Sequence, residues 1–210
     1  MSGDLVLIGF GGNTLEVLEA AQAQIRVVAI LSDDPGHGAA FEGIPIRPVA
    51  EAKTFTAAAF LFLIGSERSY RTRLDLLARL SLGNDRFATL IHERASVSRF
   101  ARIGSGSVLF QGVTVTSNAV LGRHVLVLPQ CVIHHDVKIG EGAILGATVT
   151  VAGGVTIEDG AYIGSGTSIR NGIRIGAGAL IGLGSVVVRD VAPGSVVAGN
   201  PARVLRAGPP

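Results

Sequence analysis

The sequence predicts a small α/β domain of the Rossmann-like half type over residues 1–92. A parallel β-helix of about five coils follows over residues 93–192, then a tail over 193–210. Three observations predict this. From Val97 to Val187 every sixth residue is Val, Ile or Leu, sixteen in succession with no phase slip. Four places after each lies a second line, Ala101, Ser107, Val113 and onward through Cys131, Ala143 and Ala161 to Val191, all small or β-branched. Upstream, two short continuous apolar runs flank a glycine-rich turn and a helix-periodic segment.

A period of six fits neither the 3.6 of an α-helix nor the alternation of a hairpin, and it is the mark of a hexapeptide β-helix. Three hexapeptides close one triangular coil. The large aliphatic fills the interior, the small residue fits beside it, and Gly or Asn turns each corner where φ is positive. Coils stack at the inter-strand spacing of roughly 4.8 Å, so residues one coil apart stand above one another.

Upstream of the coils, Leu5–Ile8 reads as a strand, GFGGNT as a tight turn and Leu15–Ala23 as a helix. Val27–Leu31 is the next strand, ending in Ser32-Asp33-Asp34. This β-α-β unit offers close backbone approach at Gly9, Gly11 and Gly12, free N–H groups at a helix start, and an acid after the second strand. The dinucleotide fingerprint is incomplete, with Thr14 at the third glycine position, and Asn13 could instead serve as a helix cap. Residues 35–53 read as a hairpin or connector, Phe60–Ile64 as a buried strand, Arg68–Leu82 as an amphipathic helix and Arg86–Ile91 as a last strand. From Val97 the coils run to about Val191, ahead of Pro193-Gly194, a short strand Ser195–Ala198 and AGNPARVLR.

Composition narrows the function classes. The formal charge is only +2, no basic run carries interleaved aromatics, and nucleic acid is not an expected partner. The longest dense apolar run, Ala57–Ile64, is far short of the ~20 residues of a spanning helix, so no membrane insertion is expected. MSGDLVLIGF has no basic segment ahead of its apolar stretch, which argues against a signal peptide and for a cytoplasmic location. The cations are nearly all arginine, suited to bidentate phosphate contacts. Cys131, the single cysteine, falls in the inward small line and is expected in the core. His37 and His92 are expected in turn or surface roles.

His134, His135 and Asp136 follow the inward Ile133 and so lie outside, near a corner. A neutral imidazole accepts a proton near pH 7, and a neighbouring carboxylate orients it and stabilises the imidazolium. One coil beyond His135 stands Gly153, then Asn171 and Arg189. A glycine there leaves a backbone N–H open to a developing oxyanion and a track for an extended ligand.

With the hexapeptides, the IHHDVKIG segment, the Leu90-Ile91-His92 junction and the GNPAR ending in place, the chain resembles the left-handed β-helix acyltransferases. Within them it is similar to the sialic-acid O-acetyltransferases and the nucleotide-linked amino-sugar N-acetyltransferases. The resemblance implies left-handed crossovers, against the usual right-handed rule for parallel strands. It also implies a homotrimer with acetyl-CoA bound between adjacent β-helices. His135 would be the general base and Asp136 its acidic partner. Gly153 and Ser165 would contact the acetyl-CoA arm, and Arg203 a CoA phosphate. Gly11, Gly12, Asn13, Asp33 and Asp34 would hold the nucleotide of the acceptor. The family commonly has Gly-His where this chain has Asn13-Thr14, so a sugar contact by that histidine is lost, and His134 offers a second possible base.

The implied reaction is acetyl transfer to the amine of a nucleotide-activated sugar, in surface polysaccharide or glycan precursor synthesis, with no metal. Its nearest rival is O-acetylation of a sugar by the same machinery. A zinc hydratase of the carbonic-anhydrase type would need three converging ligands. His124, His134 and His135 could supply some, but Ser117 and Arg99, one and two coils before His135, do not complete a site.

Overall fold

The structure is a computed structural model describing residues 3–208. Met1, Ser2, Pro209 and Pro210, the outer ends of the expected first segment and tail, lie outside the described residues. An N-terminal α/β domain leads into a left-handed parallel β-helix.

The α/β domain comprises β1 (Asp4–Ile8), α1 (Gly12–Gln22), β2 (Arg26–Leu31), β3 (Ala40–Phe41), β4 (Ile44–Arg47), β5 (Ala59–Phe62) and α2 (Arg73–Arg79). Its sheet runs β3-β4-β2-β1-β5, parallel except for the β3–β4 hairpin. Leu5 to Ile8 are all fully buried, as a central parallel strand covered on both faces requires. On one face Val6, Ile8, Phe60 and Phe62 pack with Leu80 and Phe87. On the other, Leu5, Leu7 and Val17 join Tyr70 and the β-helix residues Phe110, Leu126 and Ile144 in one apolar cluster, so the two parts share a core.

Two elements differ from expectation. The helix expected over Arg68–Leu82 is a 3-10 turn, Tyr70–Thr72, followed by the shorter α2. Upstream, the Ser66 and Ser69 hydroxyls capture the amides of Ser66, Arg68 and Ser69, a local alternative to helix bonding. The strand expected over Arg86–Ile91 divides. Phe87 bridges to Phe60 in the α/β sheet, whereas β6 (Leu90–Ile91) already pairs with Val108–Leu109 in the prism. Ile91 therefore extends the aliphatic column one step ahead of Val97.

The prism has three faces of two-residue rungs. The first carries Ser96–Val97, Val132–Ile133 and Thr150–Val151, the second Val120–Leu121 and Lys138–Ile139, and the third Leu126–Val127, Ile144–Leu145 and Leu180–Ile181. The third face is covered by the α/β domain through Leu126 and Ile144. The inward columns are buried along almost their whole length, each Val or Ile contributing about 1.5–3 kcal/mol by burial. Cys131 is in this core, its thiol against the Gly146 carbonyl, and burial pushes its pKa up to about 12. Near the end the column slips: Val191, expected in the small line, bridges to Ile175, and Val197 pairs with Ile181, so the last coil is two residues short. A hairpin of Val196–Gly199 and Ala202–Arg206 closes the third face.

From Gly106 to Gly184, the third residue of every corner takes a positive φ between +57° and +74°. Glycine fills most of these corners. The exceptions, Asn118, His124, Gln130, Asp136 and Thr148, fall in one stretch of the chain. A β-branched Thr is an outlier in this region, whereas Asn and Asp tolerate it.

Candidate active site

The corner between the first and second faces carries His134, His135 and Asp136 on one coil and Ala152, Gly153 and Gly154 on the next. It is held by a ladder in which Asp136 N–H donates to Ser117 O (3.1 Å), Gly154 N–H to His135 O (3.0 Å) and Gly172 N–H to Gly153 O (3.1 Å). All three of His134, His135 and Asp136 are exposed.

The His135 imidazole lies on Gly153: a Cβ built there would stand 2.6 Å from both Cε1 and Nε2 of the ring. Nδ1 of His135 is 2.8 Å from Asp136 Oδ2. Because an ionised carboxylate only accepts, this contact assigns the proton to Nδ1 and leaves Nε2 as the acceptor. Asn118, one coil below Asp136, donates from Nδ2 to Asp136 Oδ1 at 3.1 Å. Hydrogen bonds from His135 and then Asn118 hold the Asp136 carboxyl below its usual range. The arrangement is a chain, Asn118 to Asp136 to His135, ending in one ring nitrogen facing outward with an unused lone pair. His134 is beside it without a hydrogen-bond partner in the structure.

His124 is elsewhere. It occupies the corner between the second and third faces, with its ring edge-on to Phe87 (4.6 Å), and is fully buried. A zinc site using His124 with His134 and His135 is therefore geometrically excluded, because the two corners are a full prism side apart. Among the described residues no group of three His, Cys, Asp or Glu side chains is arranged to hold a metal ion.

The expected nucleotide turn sits where β1 meets α1. Gly9 is required by the fold, having φ +99° and standing against Ile64. Gly11 and Gly12 are different: a Cβ at either would meet nothing within 4 Å. Gly11 is the N-cap with extended backbone, so Asn13 is inside the helix and not its cap. Asn13 Nδ2 instead donates to Leu63 O (3.0 Å) and Gly65 O (2.9 Å), and Thr14 Oγ1 to Gly9 O (2.6 Å). Asp33 Oδ1 accepts from Val49 N–H and Asp34 Oδ1 from Gly36 N–H, both at 2.8 Å; the second oxygen of Asp33 makes no hydrogen bond, whereas Asp34 Oδ2 stands 3.5 Å from His37 Nε2. Beside them His37 bonds Ser32 Oγ at 2.7 Å and meets the Phe10 ring edge at 4.8 Å. The sequence does not mark Phe10, Ser32 and His37 as a group, since a short loop can bring them together only after it folds.

The predicted residues do not all meet within the chain. Gly65, next to Asn13, packs on Leu126 and Ile144 of the third face, whereas His135 is at the corner opposite that face. Ser165 is at the corner between the third and first faces, against Gly146. A prism side of six residues spans up to ~20 Å, so Ser165 and His135 of one chain do not share a contact. Arg203 is exposed on the terminal hairpin, its guanidinium on the Ala202 carbonyl at 3.0 Å.

A family described as bacterial transferase hexapeptide (six repeats) matches residues 118–153, the stretch containing Asn118, His135, Asp136 and Gly153. The fold is similar to that of PerB from Caulobacter crescentus, solved with CoA and GDP-perosamine. That likeness has 28% identity and a TM-score of 0.85, covering 96% of this chain and 97% of the other. The acetyltransferase domain of PglB from Neisseria gonorrhoeae, solved with acetyl coenzyme A, is 27% identical with a TM-score of 0.86, covering 98% of this chain and all of that one. UDP-N-acetylbacillosamine N-acetyltransferase of Bacillus subtilis is 32% identical over 112 residues. The chain spans 30% and 50% of the lengths of two curated relatives it matches, a plant serine acetyltransferase and this bacterial enzyme. With its unbroken columns and corner geometry, the chain is a hexapeptide-repeat, left-handed β-helix protein similar to the nucleotide-sugar N-acetyltransferases.

Proposed function

We propose that this protein transfers an acetyl group from acetyl-CoA to the amine of a nucleotide-linked amino sugar, with His135 as general base. The observation that carries this is the Asn118–Asp136–His135 chain, which presents one free imidazole nitrogen on a rigid corner. The amine loses a proton to Nε2 of His135 as it attacks the thioester carbonyl, and the imidazolium is stabilised by Asp136. The tetrahedral oxyanion collapses with cleavage of the C–S bond, and the CoA thiolate takes the proton held by the His135 imidazolium and leaves as thiol. A backbone N–H near Gly153 is the proposed donor to that oxyanion, and Ser165 and Arg203 are proposed to hold the CoA arm and a CoA phosphate.

Gly11, Gly12 and Asn13, with the Asp33 and Asp34 carboxylates, are proposed to bind the nucleotide. Nothing within 4 Å requires glycine at 11 or 12, so room for an approaching diphosphate at a helix start accounts for both. In this reading the working division is 1–92 for acceptor binding and 93–192 for chemistry. Since Gly65, with Asn13 bonded to it, packs against the third face and His135 is at the opposite corner, the acceptor bound by one chain would be acetylated by another. A homotrimer with sites between subunits supplies that geometry. A cytoplasmic location goes with the use of acetyl-CoA. Among the described residues no helix is long and apolar enough to cross a membrane.

The test is mass spectrometry after incubation with acetyl-CoA and a panel of UDP-, GDP- and dTDP-linked amino sugars. Gain of one acetyl group on an amine of one member is expected. Acetylation of a hydroxyl instead would establish the O-acetyl rival, and no acetylation of any member would sink the proposal.

A further inference from the structure

At the end of the third face, a cleft of about 530 Å³ opens between the loop after β5 and the terminal hairpin. Leu180 forms its apolar wall, and Arg68, Arg71 and Arg206 line it with Ser66 and Tyr70. None of the Gly11–Asn13 turn and none of the His135 corner contributes. Tyr70 is only 4% exposed, yet its hydroxyl proton has no acceptor in the structure, since the Arg71 guanidinium beside it can only donate. A buried phenol of this kind is ordinarily satisfied, so an unpaired one signals a missing acceptor. Its ring packs on Tyr162 (5.6 Å between centroids) and carries the Arg71 guanidinium 5.2 Å from its centre.

The chemistry of the lining is one-sided. Guanidinium groups only donate, and a protonated phenol next to them is a further donor. Burial raises the Tyr70 pKa against the opposing effects of Arg71 and Arg206, so the phenol keeps its proton at neutral pH. Arg71 spends one nitrogen on the Gly194 carbonyl at 3.1 Å, tying the loop to the end of the coils. Arg68 and Arg206 have no carboxylate partner among the described ion pairs. Among the described residues the single acid at the rim is Glu67, which is exposed. A lining of converging donors with one rim carboxylate suits a compact ligand made of acceptor oxygens.

We infer that this cleft is a phosphate-binding site, in which Arg68, Arg71 and Arg206 grip a phosphoryl oxyanion and the Tyr70 hydroxyl donates to it from below. Inorganic phosphate, CoA and a nucleoside diphosphate all carry that group. The inference does not depend on acetyl transfer, because binding alone tests it.

Titration calorimetry with inorganic phosphate, with CoA and with GDP, each on the full chain at 20 and 150 mM salt, separates the sources. Wild type, Arg68→Gln/Arg206→Gln and Tyr70→Phe are compared. All three altered positions leave the backbone intact: the arginines are exposed, and phenylalanine keeps the ring. At least one anion is expected to bind wild type at 150 mM salt, and to weaken at least tenfold in the arginine variant and about fivefold in Tyr70→Phe. The anion that weakens identifies the source. Equal affinities in all three proteins, or no binding by wild type, overturn the site. So does a loss confined to the arginine variant at low salt with Tyr70→Phe unchanged, which marks a screened surface charge.

Discussion

Gly153 lies flat beneath the His135 imidazole, where an added Cβ would stand 2.6 Å from two ring atoms. Its backbone φ is not in the left-handed region, so alanine is conformationally acceptable. The atoms it would strike belong to the tip of an exposed side chain that can swing away. Gly153→Ala should therefore leave the melting temperature within a few degrees of wild type. It should lower kcat/KM about 10²-fold, since a displacement of ~1 Å of a positioned group has that effect. A variant with wild-type kinetics would show that the ring's resting place is irrelevant to turnover.

His135 itself is the proposed general base. His135→Ala should lower kcat by about 10²–10⁴-fold, with acetyl-CoA affinity nearly unchanged. His134→Ala should do much less, because His134 has neither a carboxylate partner nor a glycine shelf. Equal losses in the two variants would spread the base role over both rings.

Asn118 is proposed to act through Asp136, to which it donates. Asn118→Ala removes the donor to Asp136 Oδ1 but leaves the His135 contact. The expected effect is a fall in kcat of roughly tenfold at constant KM, with Asp136→Asn costing more, roughly 10²-fold, because it loses the accepting oxygen. Asn118→Asp keeps a side chain tolerant of φ +61° but sets two carboxylates together, and should be worse than alanine. If Asn118→Ala raises KM and spares kcat, Asn118 contacts the acceptor and the positioning role is wrong.

The coil arithmetic behind these predictions was legible in the sequence: one coil on from His135 is Gly153, and one coil back from Asp136 is Asn118. Periodicity assigns columns because every corner has the same length. It does not say which outward positions are covered. His124 points out of the prism as His135 does, yet is fully buried because Phe87 and α2 close over that corner. The two missing residues of the last coil escaped because Val191 suits either column. In the α/β domain no period operates, so the capping by Asp33 and Asp34 and the turning inward of Arg73 depend on contacts between distant segments.

His124 makes acid stability a test of that covered corner. Burial, with the neighbouring Arg73 and Arg123 charges, lowers its pKa to about 4 from an ordinary 6.5. Above pH 6.5 the imidazole is neutral in both folded and unfolded chains and nothing is lost. As pH falls from 6.5 towards 4, the unfolded chain takes the proton and the folded chain does not, so stability declines. The loss approaches about 3 kcal/mol by pH 4 and then levels off. Urea midpoints between pH 7 and 5 should fall in wild type and stay flatter in His124→Asn. Parallel curves would remove His124 from the account.

Arg73 ties the start of α2 to the end of β5. It is fully buried at the start of α2, its Nε donating to Ile64 O at 2.9 Å and its Nη2 to Phe62 O at 3.1 Å. Burial lowers its pKa to about 9, so the charge survives at neutral pH and is held by carbonyl dipoles and the Phe62 ring. Phe62 ends β5 and Ile64 follows it, and the alternate carbonyls of the same segment, Leu63 O and Gly65 O, anchor Asn13 of the proposed nucleotide turn. Arg73→Met retains apolar volume but leaves two buried acceptors unpaired, and should cost about 2–4 kcal/mol. The loosened segment should weaken nucleotide binding several-fold in Arg73→Met molecules that remain folded, measured calorimetrically well below the melting temperature. Asn13→Ala should reproduce the binding defect with a smaller stability loss. Full nucleotide affinity in both would separate the β5 terminus from acceptor recognition.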